Sequence, residues 1–198
     1  RARKSSGGSD RSGPRAHQVP VAYLIDHGAA LGDIAGPIEA FDCAPQFGTS
    51  GFFNFTVAAD RNARVMQGGV EIVPQYGFGD APSARVLFIP GQGDWSAKKI
   101  DWICAMHAQA DVVIAVRAGA FLLAEAGLLD GLQAATHPSL HERFAERYPS
   151  VELLRDEAIA ECGKIITAAG ITAAIDAAVR TIGRYYGAAS ANDIADFL

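Results

Sequence analysis

A chain of 198 residues, 49% hydrophobic and 20% charged, is long enough for one domain with a full core and too apolar to be largely disordered. No uninterrupted apolar run reaches the roughly 20 residues that a membrane-spanning helix needs. The net charge is −5, but Arg1, Arg3, Lys4, Arg11 and Arg15 crowd into the first 18 residues against Asp10 alone. The remainder therefore carries about −9 without a basic stripe, which argues against a nucleic-acid partner.

Residues 1–18, rich in Gly, Ser, Arg and Pro, are expected to form a disordered leader ahead of a single α/β domain over 19–198. A cytoplasmic protein is expected, or an exported, periplasmic one if this leader follows a removed signal. Val19–Ile25 reads as the first buried strand, with Pro20 at its start. Asp33 stands where it could cap the next helix. Pro37 suggests that regular helix begins near Gly36 and continues through Glu39. Residues 52–59 form the second strand, and Val65–Val73 a hairpin around Gly68 and Gly69. Arg85–Ile89 is another buried strand, ending in the turn of residues 90–94.

A helix over Ile100–Gln109 leads to the centre of the chain. Val112–Val116 is a five-residue apolar run, as in a strand buried on both faces. From Ala118 the spacing is helical, and only Arg117 stands between the two patterns. Such an elbow is sharp and strained, and Gly119 lets a neighbouring backbone pass close. Enzymes often place a nucleophile there; arginine is not one. Gln133–Thr136 reads as a short strand before His137, and Pro138–Tyr148 as a helix opened by its proline. Short strands over Val151–Arg155 and Ala158–Ala160 precede a last strand, Lys164–Ala168. Helices over Ala173–Tyr186 and Ala189–Leu198 complete the chain.

This alternation predicts a mainly parallel sheet flanked by helices on both faces, a flavodoxin-like arrangement. Ligand sites in such sheets lie at the carboxyl ends of strands. Loops 26–34, 90–95, 117–119 and 136–138 should therefore converge on one cavity. The three cysteines form no CxxC pair and are expected to be reduced or simply buried. Cys43, Cys104 and Cys162 all lie away from the elbow, so none replaces a nucleophile there. His137 and His141 are the one histidine pair at metal-ligand spacing. Pro138 interrupts that pair, and no metal or other cofactor is expected.

Four phrases occur in order: GDIAGPIEAF, VLFIPGQG, AVRAGAFLLAEAGLLDGLQAATH and ITAAGITAAIDAAVRTIGRYYG. Together, over Val19–Leu198, they resemble the ThiJ/PfpI superfamily with its class I glutamine-amidotransferase-like fold. The branch they resemble contains isonitrile hydratase and the sensor domains of AraC-type regulators. The resemblance implies a cysteine at the elbow, often followed by threonine; here those positions are Arg117 and Ala118. It implies an acid opposite the elbow, matched by Asp33. It also implies an oxyanion-hole turn at Gly91 and Gln92 with the Ala118 N–H, and a histidine after the following strand, His137.

Arg117 has two readings. It is an anion binder at the cavity mouth, or it fills the vacated pocket by pairing with Asp33 or, failing that, Glu39. Asp33 could serve as an acid or base, or as a cap and counter-charge. Glu39 points inward if its helix faces the sheet, and then needs a polar partner. His137 lines the site more readily than it catalyses, since no serine or cysteine is obviously placed for it. The expected protein is thus a ThiJ/PfpI-like homodimer with an altered site, binding an unknown small molecule or acting as a non-catalytic scaffold. Whether it is an enzyme stays open. The alternatives are a hydratase, lyase or amidase-like hydrolase, and a regulator's sensor domain.

Overall fold

The computed structural model describes residues 17–198 apart from 27, 64, 68 and 92–94. The expected leader thus lies almost wholly outside the described residues. In chain order the elements are β1 (Val19–Leu24), α1 (Leu31–Cys43), β2 (Phe52–Ala58), β3 (Val65–Gln67), β4 (Val70–Ile72), β5 (Tyr76–Gly77) and β6 (Val86–Ile89). Then come α2 (Ala97–Gln109), β7 (Val112–Val116), α3 (Gly119–Glu125), β8 (Gln133–Ala134), α4 (His141–Arg147), β9 (Glu152–Leu153), β10 (Ile159–Cys162), β11 (Ile165–Ala168), α5 (Ile171–Tyr186) and α6 (Ala188–Phe197). Among the described residues, no helix is long and apolar enough to cross a membrane.

The main sheet runs β10-β11-β7-β6-β1-β2-β5. Every pairing in it is parallel except β10 with β11. Apolar strands buried on both faces explain this arrangement. Along β7, Val112, Ile114 and Val116 join one core, while Val113 and Ala115 join the other. The first core packs against α1, α5 and α6, and the second against α2, α3 and α4. Strand order reverses between β1 and β6, so the loops after β1, β6 and β7 open into one crevice.

Several boundaries differ from expectation. Helix α1 starts at Leu31 rather than near Gly36 and passes through Pro37. Proline removes only the bond to the Asp33 carbonyl, and burial of Ile34, Pro37, Ala40 and Phe41 outweighs it. Asp33 is therefore inside the first turn. The residue before the helix is Ala30, and no side chain caps it. Two glycines on α1 let α5 approach: a Cβ on Gly32 would lie 2.7 Å from Ile171, and one on Gly36 2.7 Å from Ile175. Helix α2 begins at Ala97, earlier than expected. The helix expected over 138–148 splits into a 3₁₀ turn, Pro138–Leu140, and then α4. Edge strand β5, two residues long, had no sequence signal.

Candidate functional site

The site grows from the end of β7. Arg117 has φ 54°, the one non-glycine residue with positive φ among the described residues. A side chain in this region costs roughly 1–2 kcal/mol. The surroundings hold it there. Its N–H donates to the Ala168 carbonyl at 2.8 Å, and its carbonyl accepts from Thr136 Oγ1 at 2.7 Å. The Thr136 carbonyl in turn accepts from His141 Nε2 at 3.1 Å. Strand end, elbow and α4 are thereby tied together. The helix starts at Gly119, as the change in spacing predicts. A Cβ on Gly119 would lie 2.2 Å from the Ile89 carbonyl oxygen, so only glycine fits where α3 crosses β6.

Opposite the elbow, α1 presents Asp33, wholly buried. Arg117 Nη1 reaches its Oδ1 at 3.4 Å, and the Gly91 N–H donates to its Oδ2 at 3.3 Å. Burial pushes the Asp33 carboxyl above its ordinary range, against the charge of Arg117, the Gly91 N–H and the more distant His137. Arg117 itself is one-third exposed, at 34%. The pair is sealed on one side only.

The two partners differ in what their loss should do. An unfolded chain releases the Asp33 proton from about pH 4 upward, and the folded chain only at higher pH. Its contribution to stability is complete below the unfolded pKa and is lost as pH rises through the raised folded pKa. Asp33→Asn should therefore be at least as stable as the parent at pH 7, its advantage growing with pH across that window. Asp33→Ala should cost about 1–3 kcal/mol, because Gly91 N–H and Arg117 both lose an acceptor. Urea unfolding of the three proteins between pH 4 and pH 8 checks both expectations.

A cavity of about 370 Å³ opens above this pair. Residues from all four expected loops line it: Gly28 and Ala30, Gly91 and Trp95, Arg117 and Ala118, and His137. Asp33 lies behind Arg117, and Gly119 is buried against β6. Gln92 lies outside the described residues. Glu39 does not join the site. It is exposed, because six helical positions from Asp33 turn it by roughly 240° away from the buried stripe. The inward orientation expected for it is corrected accordingly.

His137 Nδ1 accepts the Ser139 N–H at 3.3 Å and meets Ser139 Oγ at 2.8 Å. One nitrogen serving both groups is a local cap of the 3₁₀ turn. Among the described residues, no carboxylate or carbonyl orients the other ring nitrogen as a catalytic base would require. The cysteines are free thiols, and burial pushes the Cys43 thiol up. Among the described residues, no three His, Cys, Asp or Glu side chains gather as metal ligands.

The sequence reading misses Trp95 and Arg143, which complete the cavity wall. Their rings and charge meet across the site: the Arg143 guanidinium lies 5.2 Å from the Trp95 ring centre and 5.8 Å from that of Phe121. An arginine on a polar-looking helix gives no sign in sequence of facing a distant tryptophan. Beneath the cavity, Lys99 of α2 is wholly buried and contacts Asp26 at 2.7 Å. Sequence spacing gives no signal for that pair either.

Comparison with known proteins places this geometry. The profile described as DJ-1/PfpI family matches residues 20–183. Isonitrile hydratase of Pseudomonas putida is 31% identical over 118 residues, covering 56% of this chain and 50% of that protein. The HTH-type transcriptional regulator GbdR of Pseudomonas aeruginosa is 24% identical over 172 residues, covering 84% of this chain and 47% of the regulator. The chain thus spans about half the length of the curated relatives it matches. In fold, a ThiJ/PfpI family protein from Pseudomonas syringae superposes with a TM-score of 0.77 at 24% identity, covering 94% of this chain and 81% of that one.

Proposed function

This chain belongs to the DJ-1/PfpI family, and we propose that it binds a small molecule in its strand-end cavity without covalent chemistry. One observation carries the reading. The elbow residue is an arginine, held in the strained conformation suited to a nucleophile and tied to the acid opposite, yet the cavity above stays open. A guanidinium cannot attack a carbonyl or an isonitrile. It can bind and orient.

The enzymatic alternative, a hydratase, lyase or amidase-like hydrolase, draws support from the isonitrile hydratase relative. It needs a nucleophile or a water-activating base. Among the described residues the acid at the elbow is Asp33, and it is sealed from solvent beneath Arg117. The sensor alternative draws support from the regulator relative and describes the same binding event inside a longer protein. Ligand-dependent capture of promoter DNA by the natural full-length protein tests it. The non-catalytic reading places the protein in the cytoplasm as a homodimer, for which sedimentation should give twice the chain mass.

Arg117→Cys is the direct test of the elbow. The parent should turn over neither isonitrile nor acyl substrates. Turnover by the parent at an ordinary enzymatic rate would overturn the proposal. The variant should gain one thiol that iodoacetamide alkylates at pH 7 faster than the three natural cysteines. The Arg143 cation on the cavity wall and the partly exposed elbow position favour thiolate there. Mass spectrometry of parent and variant after a short alkylation pulse reads the difference.

A further inference from the structure

Two guanidinium groups reach the cavity from different elements, Arg117 from the elbow and Arg143 from α4. Neither is held by a close, bidentate carboxylate among the described residues. The single contact from Arg117 to Asp33 is 3.4 Å long, well beyond the roughly 2.7–2.9 Å of a strong charge-assisted bond. Its Nε and Nη2 have no hydrogen-bond partner among the described residues. Arg143 makes no ion pair with a carboxylate among the described residues. The other arginines among the described residues each have one: Arg61 with Asp80, Arg85 with Asp111, Arg147 with Glu125, Arg155 with Glu142, and Arg180 and Arg184 with Glu161. Arg143 lies at the mouth of the cavity over Trp95 and Phe121, with Arg147 over the same Trp95 ring at 4.7 Å.

Among the described residues no acid lines the cavity, and the carboxylate closest to Arg117, Asp33, is buried behind it. Among the described lining residues the charged side chains are Arg117 and Arg143, with the Asp33 carboxyl behind Arg117. His137 adds an imidazole to the wall, its Nδ1 engaged by the Ser139 N–H at 3.3 Å. A planar guanidinium fork matches a planar carboxylate bidentately. A space of about 370 Å³ fits a small organic molecule.

Resting on the small-molecule reading given above, we propose that the ligand is a small monocarboxylate, its carboxylate received between Arg117 and Arg143. The test uses acetate, propionate and benzoate, each against its own amide, with benzylamine and inorganic phosphate alongside. Binding is read by calorimetry and by thermal shift in low and high salt. At least one carboxylate should bind saturably with a dissociation constant of about 1 mM or tighter, its amide at least 10-fold more weakly. High salt should weaken the carboxylate and not the amide. Arg143→Gln, at an exposed position that leaves the core untouched, should weaken it by 10-fold or more. Arg61→Gln, away from the cavity, should not.

If amides or benzylamine bind as well as the carboxylates, the cavity is a small-molecule site without anion preference, and only this inference falls. If phosphate binds more tightly and depends on Arg143, the monocarboxylate assignment is overturned in favour of a phosphorylated ligand. If no probe of any charge binds, the small-molecule reading falls with it.

Discussion

Gly119→Ala should cost the fold about 3 kcal/mol or more, at the severe end of overpacking changes. The added Cβ would lie 2.2 Å from the Ile89 carbonyl oxygen, 3.2 Å from the Ile89 carbonyl carbon and 3.3 Å from the Pro90 carbonyl oxygen. All three atoms are backbone. They belong to the end of β6 and the turn that follows, paired in the middle of the sheet, so they cannot swing aside as a flexible side chain would. The elbow must shift instead, and it is pinned by the contacts of Arg117 with Ala168 and Thr136. For a chain of this size the melting temperature should fall by about 6–12 °C. Gly79→Ala is the control. A Cβ there meets nothing within 4 Å, and the change should stay within about 0.5 kcal/mol.

Asp26→Ala should cost about 3 kcal/mol for a different reason. Lys99 has no exposed side-chain surface, whereas Asp26 keeps 19%. Removing the carboxylate takes from a desolvated ammonium the counter-charge 2.7 Å away, the expensive way to break such a pair. Removing the ammonium is cheaper. In Lys99→Met an apolar chain fills the buried path, and Asp26 can hydrate through its exposed edge. The loss there should be under about 1.5 kcal/mol. The double variant should recover most of what Asp26→Ala loses. Chemical denaturation of the four proteins closes the double-mutant cycle, and additive losses would show that the two residues are not coupled.

These two sites mark the division between what is legible in the sequence and what is not. The sheet is legible: the apolar runs of β1, β2, β6 and β7 stand at the expected positions, because a strand buried on both faces leaves an unbroken local signature. The elbow is legible for the same reason, since the period changes from strand to helix across one residue. Two readings of α1 fail. The proline rule places its start too late, because burial of four neighbouring side chains outweighs one missing hydrogen bond. Glu39 turns outward, because its facing follows from where the helix starts.

By itself the sequence determined the α/β architecture, the elbow with its arginine, and the convergence of four strand-end loops. Those features rest on local periodicity and on connection rules that every parallel sheet obeys. The tertiary structure alone decided the 3.4 Å reach of Arg117 to Asp33, the burial of Lys99 and the setting of Arg143 against Trp95. Charged side chains look solvent-facing wherever they stand in a sequence. Their burial and partners depend on how elements distant along the chain pack, and no local pattern encodes that geometry.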